Sequence, residues 1–178
     1  MSVKHKDQRV GVLVDIQNMY YSAKQLYHKK VNFTNLLKTA VAGRQLIRAM
    51  AYVINAEMQG EEGFHQALER IGFEVKAKDL QTFLGGAKKG DWDVGMAMDA
   101  LRMAQKVDVI VLVSGDGDFI DLVRYLQETM GCRVEVISFK KTCSQKLIDQ
   151  ADEYISIDDP KFLISDRRGS DDSRRTYK

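Results

Sequence analysis

Apolar residues recur along the chain in two alternating patterns, one typical of buried strands and the other typical of amphipathic helices. Continuous runs rich in β-branched residues predict strands, and apolar positions three or four apart predict helices. The predicted strands are residues 10–16, 45–54, 73–83, 108–115, 132–139 and 153–157. The predicted helices are residues 19–28, 33–42, 61–72, 93–106, 119–131 and 144–151. This alternation predicts a Rossmann-like α/β fold, with a central, mostly parallel sheet of five to six strands and helices on both faces.

The length and composition fit one folded domain followed by a short tail. The chain has 178 residues, of which 44% are hydrophobic and 29% are charged, as is ordinary for a globular protein. We place the domain at residues 1–159 and a basic tail at residues 160–178, which we expect to be disordered because it lacks apolar periodicity. No apolar stretch approaches the roughly 18 residues of a membrane span, and the charged start does not resemble a signal peptide. We therefore expect a cytoplasmic protein that does not contact membranes.

Positive charge is concentrated toward the two ends of the sequence, although the net charge is only +2. Residues 1–48 carry nine Lys or Arg against two Asp, and residues 160–178 carry six Lys or Arg against three Asp. The middle of the chain is therefore acidic. A basic flank beside an acidic centre suits a protein that binds a polyanion near an acid-lined site. Ordinary solvated surface charge explains the composition equally well.

Aspartates follow the ends of two predicted strands. The first strand runs into Asp15, and the fourth runs into SGDGD, which places Asp116 and Asp118 directly after it. Asp93 begins the predicted helix that leads into the fourth strand, and Asp91 lies two residues earlier. Sites in doubly wound sheets form at the carboxyl ends of the strands, where the strand order reverses. If the two strands are neighbours, we expect these carboxylates to meet in one crevice.

Each carboxylate in such a group raises the pKa of its neighbours by repulsion. A bound divalent cation would stabilise the ionised carboxylates. Mg²⁺ prefers oxygen ligands, and two such ions can activate a water and stabilise the leaving oxygen in phosphodiester cleavage. Helix capping is the competing interpretation for Asp93, Asp118 and Asn18, since Asp and Asn are favoured caps. A functional role is favoured for Asp15, because an acid at the end of a buried strand needs a partner.

Other sites with paired aspartates fit the pattern less well. A phosphatase of the haloacid dehalogenase type requires Asp-x-Asp after the first strand, whereas Asp15 is followed by Ile16 and Gln17. A Toprim-type core has an Asp-x-Asp that SGDGD resembles, but it requires a glutamate where this chain has Asp15. No G-x-G-x-x-G follows the first strand, which disfavours dinucleotide binding.

Three segments together resemble a known family. They are VLVDIQN (12–18), KKGDWDVGMAMDAL (88–101) and VLVSGDGDFIDLV (111–123). In this order and spacing they resemble the NYN domain family, in its LabA-like bacterial branch, which belongs to the PIN-like nucleases. The resemblance spans roughly residues 9–157, and SGDGDF after an apolar strand is its most specific part. Asp91 is an additional acid, since many relatives have G-x-x-D-V where this chain has GDWDV.

The resemblance implies a PIN-like fold and a ribonuclease site that depends on Mg²⁺ or Mn²⁺. Asn18 would orient the substrate or a water on the metal, Ser114 would donate to a phosphate, and Lys89 would contact the scissile backbone. Asp99 matches an acid that recurs in the family's helix, which favours a supporting metal ligand over the alternative of a surface acid. The catalytic, metal-binding carboxylates that the resemblance implies are Asp15, Asp93, Asp116 and Asp118.

Two functions from different classes are consistent with this pattern. The first is a metal-dependent endoribonuclease that hydrolyses single-stranded or structured RNA. The alternative is a catalytically silent or partner-activated module that binds RNA through the same acidic pocket. A homodimer and a protein partner that supplies specificity are left open. Candidate RNA contacts, besides Lys89, are Lys24, Lys29, Lys30, Arg44 and Arg48, with Tyr20, Tyr21 and Tyr27 as candidates for base stacking.

Overall fold

A computed structural model describes most of the chain. The described residues are 4–55, 61–82, 84, 86 and 88–165, and for residues 61, 62, 82, 88 and 89 only the backbone is described. The strands are β1 (Arg9–Asp15), β2 (Lys29–Val31), β3 (Gln45–Ile54), β4 (Glu74–Lys78), β5 (Gln81–Thr82), β6 (Lys88–Lys89), β7 (Val109–Val113), β8 (Arg133–Ser138), β9 (Glu153–Ser156) and β10 (Leu163–Ser165). The helices are α1 (Ile16–Tyr27), α2 (Phe33–Val41), α3 (Glu61–Ile71), α4 (Asp93–Ala104), α5 (Ile120–Glu128) and α6 (Gln145–Gln150). Short 3₁₀ turns occupy Gly117–Phe119, Lys140–Thr142 and Pro160–Phe162.

The central sheet has six strands in the order β4-β3-β1-β7-β8-β9, and each neighbouring pair is parallel. The predicted fold class is therefore confirmed. Strand β1 lies between β3 and β7, so the strand order reverses beside β1. Val14 is in register with Val113, which brings the carboxyl ends of β1 and β7 to the same level. The strands that carry Asp15 and SGDGD are thus neighbours, as the crevice hypothesis requires.

Both faces of the sheet are covered by helices, which explains why β7 is apolar at every position and β1 is apolar from residue 10 to residue 14. Val12 of β1 and Val111 of β7 pack toward α1, α2 and α3. Leu13 and Leu112 point to the opposite face and pack against α4, α5 and α6. None of the helices in the described part of the chain has the length and apolarity that crossing a membrane requires.

Several boundaries differ from the predicted ones. Helix α1 begins at residue 16, three residues earlier than predicted, because Asp15 caps it directly after β1. The long strand predicted at 73–83 ends as β4 at residue 78, and residues 81–82 pair instead with 88–89 in a separate antiparallel ladder. Lys88 and Lys89, which precede the GDWDV motif, therefore lie on a short strand.

The fold extends beyond residue 159, where we placed the start of the tail. Asp159 caps the turn Pro160–Phe162, and Phe162 is buried in the core. Strand β10 then pairs antiparallel with β2. Residues 166–178, which make up the rest of the predicted tail, lie outside the described residues.

Candidate active site

Three aspartates converge at the carboxyl edge of the sheet, and we call them the acidic triad: Asp93, Asp116 and Asp118. Each offers a carboxylate oxygen, and these oxygens lie within 4.8 Å of one another. Asp93 is the first residue of α4, whereas Asp116 and Asp118 follow β7. An all-oxygen set of carboxylates suits a hard cation such as Mg²⁺ or Mn²⁺ rather than zinc, which is bound mostly by His and Cys.

A cleft lies beside the triad. Asp15, Asp93 and Asp116 are among the residues that line this cleft. The Asp15 carboxylate accepts hydrogen bonds from the Asn18 backbone N–H at 3.1 Å and from Ser114 Oγ at 3.2 Å. The pKa of Asp15 is raised to about 6, mainly by burial and to a smaller extent by the charges of Asp93 and Asp116. The cleft thus disfavours a fourth negative charge unless a cation compensates it.

The residues predicted to contact substrate through hydrogen bonds instead hold the loop after β7. Asn18 Oδ1 accepts from the Gly115 N–H at 2.9 Å, which ties this loop to α1. Ser114 is completely buried; its hydroxyl donates to Asp15 and accepts from the Asp116 N–H at 3.2 Å. Because the single hydroxyl proton is already donated to Asp15, this arrangement does not support Ser114 as a donor to phosphate. Asn18 lines the cleft, so its side chain still faces the space where substrate would lie.

Capping involves different acids from those that the competing interpretation named, since Asp15 caps α1. Asp116, not Asp118, caps the turn Gly117–Phe119, since Asp116 Oδ1 accepts from the Asp118 N–H at 2.9 Å. Asp93 lies one position inside α4, and Trp92 at the cap position makes no side-chain capping bond. Burial is the largest cause that raises the pKa of Asp93, followed by the charges of Asp116, Asp91 and Asp118.

Gly115 and Gly117 are required by close packing, not by an unusual backbone angle. A Cβ on Gly115 would lie 2.8 Å from the Thr142 carbonyl oxygen and 3.0 Å from Cys143 Cα. A Cβ on Gly117 would lie 2.9 Å from Ser144 Oγ. The two glycines let the segment after β8 close against the acidic loop, and Thr142 of that segment lines the cleft.

Comparison with known proteins decides the family. A model of the NYN domain matches residues 9–158. The chain belongs to the NYN domain family. It is 26% identical over 173 residues to the low amplitude and bright protein LabA of Synechococcus elongatus, with 89% of each chain covered. A crystal structure of a Vibrio parahaemolyticus protein of unknown function has 36% identity and a TM-score of 0.83, and the match covers 92% of this chain and all of that one. The predicted membership of the NYN domain family, with LabA as a relative, is confirmed.

Asp99 lies outside the acidic triad of this NYN domain, and its contacts do not favour its expected role as a supporting ligand. Its carboxylate accepts from Tyr52 at 2.8 Å, Lys76 at 2.7 Å and Arg102 at 3.1 Å. Burial alone would raise the pKa of Asp99, but the hydrogen bonds from Lys76 and Tyr52 lower it below its ordinary value. Three donors therefore already satisfy this carboxylate, and Asp99 anchors α4 to β3 and β4 instead.

Two arginines proposed as RNA contacts are committed to ion pairs. Arg44 is buried and makes two hydrogen bonds of 2.8 Å with Glu135, while its guanidinium also donates to the carbonyls of Ala40 and Val41. Arg48 pairs with Glu74 through bonds of 2.8 and 2.6 Å. Arg44 and Glu135 sit at the amino ends of β3 and β8, opposite the acidic triad, so Arg44 is structural.

The other residues proposed to contact RNA lie in different parts of the structure. Tyr21 lines the cleft, but Tyr27 donates to Asp158 at 2.6 Å and packs against the core residue Phe139. Lys24 lies 5.6 Å from the centre of the Tyr20 ring. The exposed residues Lys29 and Lys30 belong to β2. Lys89 belongs to β6, and its side chain lies outside the described residues.

Sequence reasoning missed Trp92 and three lysines near the cleft, Lys78, Lys140 and Lys141. Trp92 lines the cleft, and its Nε1–H donates to the Val53 carbonyl at 2.8 Å. Lys78 Nζ lies over the indole ring, 4.6 Å from its centre. Lys78 lowers the pKa of Asp93 electrostatically. Lys140 and Lys141 are exposed in the turn that contains Thr142. The GDWDV motif, in which a lone tryptophan separates two acids, was the available signal for Trp92.

Proposed function

We propose that this protein is a metal-dependent endoribonuclease that hydrolyses phosphodiester bonds in RNA at the acidic triad. The observation that carries this proposal is the convergence of three carboxylates within 4.8 Å at the strand-order reversal of an NYN domain. Fold similarity alone does not establish an activity, so the proposal depends on the chemistry of these side chains. The predicted cytoplasmic location is part of the same proposal.

The residues present fit Mg²⁺ or Mn²⁺. Asp93, Asp116 and Asp118 would hold the cation, with Asp15 at the edge of the same cleft. No hydrogen bond to the Asp93 or Asp118 carboxylate is made by the residues that the structure describes, which leaves these oxygens available as ligands. A bound divalent cation supplies positive charge that polarises a phosphoryl oxygen and lowers the pKa of a water. The raised pKa of Asp15 and Asp93 fits a cleft that is electrostatically complete only with a cation.

The protein's own contribution is to hold these oxygens in place. Asp15 is fixed by two hydrogen bonds, and the Asn18 side chain fixes the Gly115 backbone. Because the loop is tied to both α1 and β1, Asp15 and the backbone that carries Asp116 need little rearrangement when a charge develops nearby. Such preorganisation is usually the largest electrostatic contribution to catalysis.

Lysines at the edge of the cleft would bind the RNA backbone. Lys140 and Lys141 are exposed beside Thr142, which lines the cleft, and Lys78 lies over Trp92 on the opposite side. Replacing Lys140 and Lys141 by glutamine should weaken RNA binding for all sequences alike. The dependence of affinity on salt should also fall, because fewer counterions are released from the phosphates. The same substitutions at Lys38 and Lys106, which are also exposed but were not candidate RNA contacts, are the matched control.

A cleavage assay separates this proposal from its alternative. A mixed pool of single-stranded and hairpin RNA is incubated with Mg²⁺, Mn²⁺ or EDTA, and wild type is compared with Asp116→Asn and Asp99→Asn. We expect cleavage with metal, none with EDTA, at least a hundredfold loss in Asp116→Asn, and activity close to wild type in Asp99→Asn. Equal activity of wild type and Asp116→Asn would contradict the proposal. RNA binding without cleavage under every metal would instead favour the silent or partner-activated module.

A further inference from the structure

An apolar groove runs from the acidic triad along the surface between α4 and α5. Its lining residues are Asp93, Val94, Ala97, Leu101, Asp118, Phe119, Leu122 and Tyr125. Apart from the two aspartates at one end and the Tyr125 hydroxyl, these side chains carry no polar group. Val94 is 76% exposed and Tyr125 is 48% exposed, so the groove presents apolar and aromatic surface to solvent. Nothing in the proposed hydrolysis uses this surface.

We propose that this groove binds the unpaired base of the nucleotide adjacent to the scissile phosphate, with Tyr125 stacking on it. This inference rests on the proposed function, because it assumes that a phosphate lies at the acidic triad. The groove and the triad share Asp93 and Asp118, so a nucleotide whose phosphate is held there has its sugar and base next to the apolar lining. Base–aromatic stacking is a common source of affinity for single-stranded nucleic acids.

Continuity with the triad favours a base over a protein. A helix or loop of a partner seated between α4 and α5 would abut Asp93 and Asp118 and obstruct access to the carboxylates. A base fills the groove while its own phosphate occupies the space over the acids. On the other side of Asp93 the cleft is lined by polar side chains, including Gln17 and Gln25, which suits ribose, phosphate or base edges.

The character of the lining predicts which features of the RNA are read. Apolar side chains contact the face of a base and offer no hydrogen bonds to its edges, so the groove should accept all four bases. A base in a duplex is stacked between its neighbours and cannot enter. The groove therefore makes an unpaired nucleotide beside the cleaved bond a requirement, without fixing its identity.

The test combines substrate and protein changes. A short single-stranded RNA with a single cleavage position is compared with copies in which one nucleotide at a time lacks its base, in Mn²⁺. For wild type, we expect kcat/KM to fall about tenfold for an abasic nucleotide at one position beside the cleaved bond and little elsewhere. For Tyr125→Ala, kcat/KM on the intact RNA should fall by a similar factor, and the abasic position should cause little further loss. Ile164→Ala, which truncates an equally exposed side chain on β10, should behave like wild type.

Failure of the groove and failure of the nuclease give different results. Two results would overturn the groove proposal while leaving the nuclease proposal intact. In the first, no abasic position lowers kcat/KM; in the second, the abasic position lowers kcat/KM by the same factor in Tyr125→Ala as in wild type. If wild type cleaves nothing, the same RNAs are measured by fluorescence anisotropy with Mn²⁺. If the abasic nucleotide lowers affinity in wild type but not further in Tyr125→Ala, the groove proposal is supported without the nuclease. If affinity does not show this pattern, the groove proposal is overturned. A groove that pairs two copies of the chain would show as dissociation of a dimer by Tyr125→Ala in sedimentation velocity, without any abasic effect, and would also overturn the proposal.

Discussion

Asp15→Asn tests the electrostatics of the cleft directly, because the ionised Asp15 carboxylate destabilises the folded protein. Burial, assisted by Asp93 and Asp116, raises the pKa of Asp15 from 3.8 to about 6. The folded protein therefore binds this proton more tightly than the unfolded chain does. As a result, the contribution of Asp15 makes the free energy of unfolding fall as the pH rises from about 4 to about 6. Above pH 6 the full cost is present, and below pH 4 it is absent.

The size of the effect follows from the two pKa values. A difference of about two units corresponds to about 3 kcal/mol. Asparagine keeps an oxygen that can accept from the Asn18 N–H, but its NH₂ group replaces the oxygen to which Ser114 donates. Loss of that hydrogen bond offsets about 1 kcal/mol. We therefore expect Asp15→Asn to be more stable than wild type by about 2 kcal/mol at pH 7.5 without divalent metal.

Urea unfolding followed by circular dichroism, in EDTA at pH 4 and pH 7.5, measures this difference. The stabilisation should be present at pH 7.5 and should be lost or reversed at pH 4. Asp108→Asn is the control of opposite sign, because hydrogen bonds from Arg9 hold the pKa of Asp108 at about 2. That variant should be less stable than wild type at pH 7.5, by under about 1 kcal/mol because the pair is exposed. An Asp15→Asn variant that is less stable than wild type at pH 7.5, or equally shifted at both pH values, would refute the reasoning.

Three further substitutions probe the scaffold. Gly115→Ala should lower the free energy of unfolding by about 1–3 kcal/mol in urea unfolding, because its Cβ would lie 2.8 Å from the Thr142 carbonyl oxygen; an unchanged midpoint would contradict this packing. Arg44→Met should cost about 3 kcal/mol in the same assay, the lower end of the range for a broken buried pair, because Glu135 loses its bidentate partner but keeps Arg133 at 3.2 Å and Lys4 at 3.6 Å; RNA affinity of the folded fraction should not change. Asp99→Asn should lower the thermal midpoint but leave divalent-metal affinity as in wild type, and a parallel loss of metal binding would place Asp99 in the site.

The sequence was sufficient to predict the sheet and the meeting of the acids for one physical reason. Parallel strands that are buried on both faces are apolar throughout, so β1 and β7 stand out, and their carboxyl ends lie at the same edge. Once the two strands are neighbours, residues directly after them must be close. Asp93 follows from the same topology, because α4 leads into β7 and begins at that edge.

Contacts between distant segments were not predictable in the same way. Asp99 has a helical position compatible with the site, but its partners Lys76 and Tyr52 come from β4 and β3, and no periodicity reveals that pairing. The Ser114 hydroxyl looked available because its acceptor, Asp15, lies 99 residues earlier. The packing of Thr142 against Gly115 is likewise a long-range contact. This packing places the turn with Lys140 and Lys141 beside the cleft, which only the structure shows.

The central claim is that the acidic triad holds a divalent cation, and titration of Mn²⁺ by calorimetry tests it most directly. Wild type is compared with the three single Asp→Asn variants of Asp93, Asp116 and Asp118, and with Asp99→Asn as the matched acidic control from the same helix as Asp93. We predict saturable binding to wild type, at least a tenfold loss of affinity in each triad variant, and wild-type affinity in Asp99→Asn. Triad variants that bind Mn²⁺ as tightly as wild type would contradict the account.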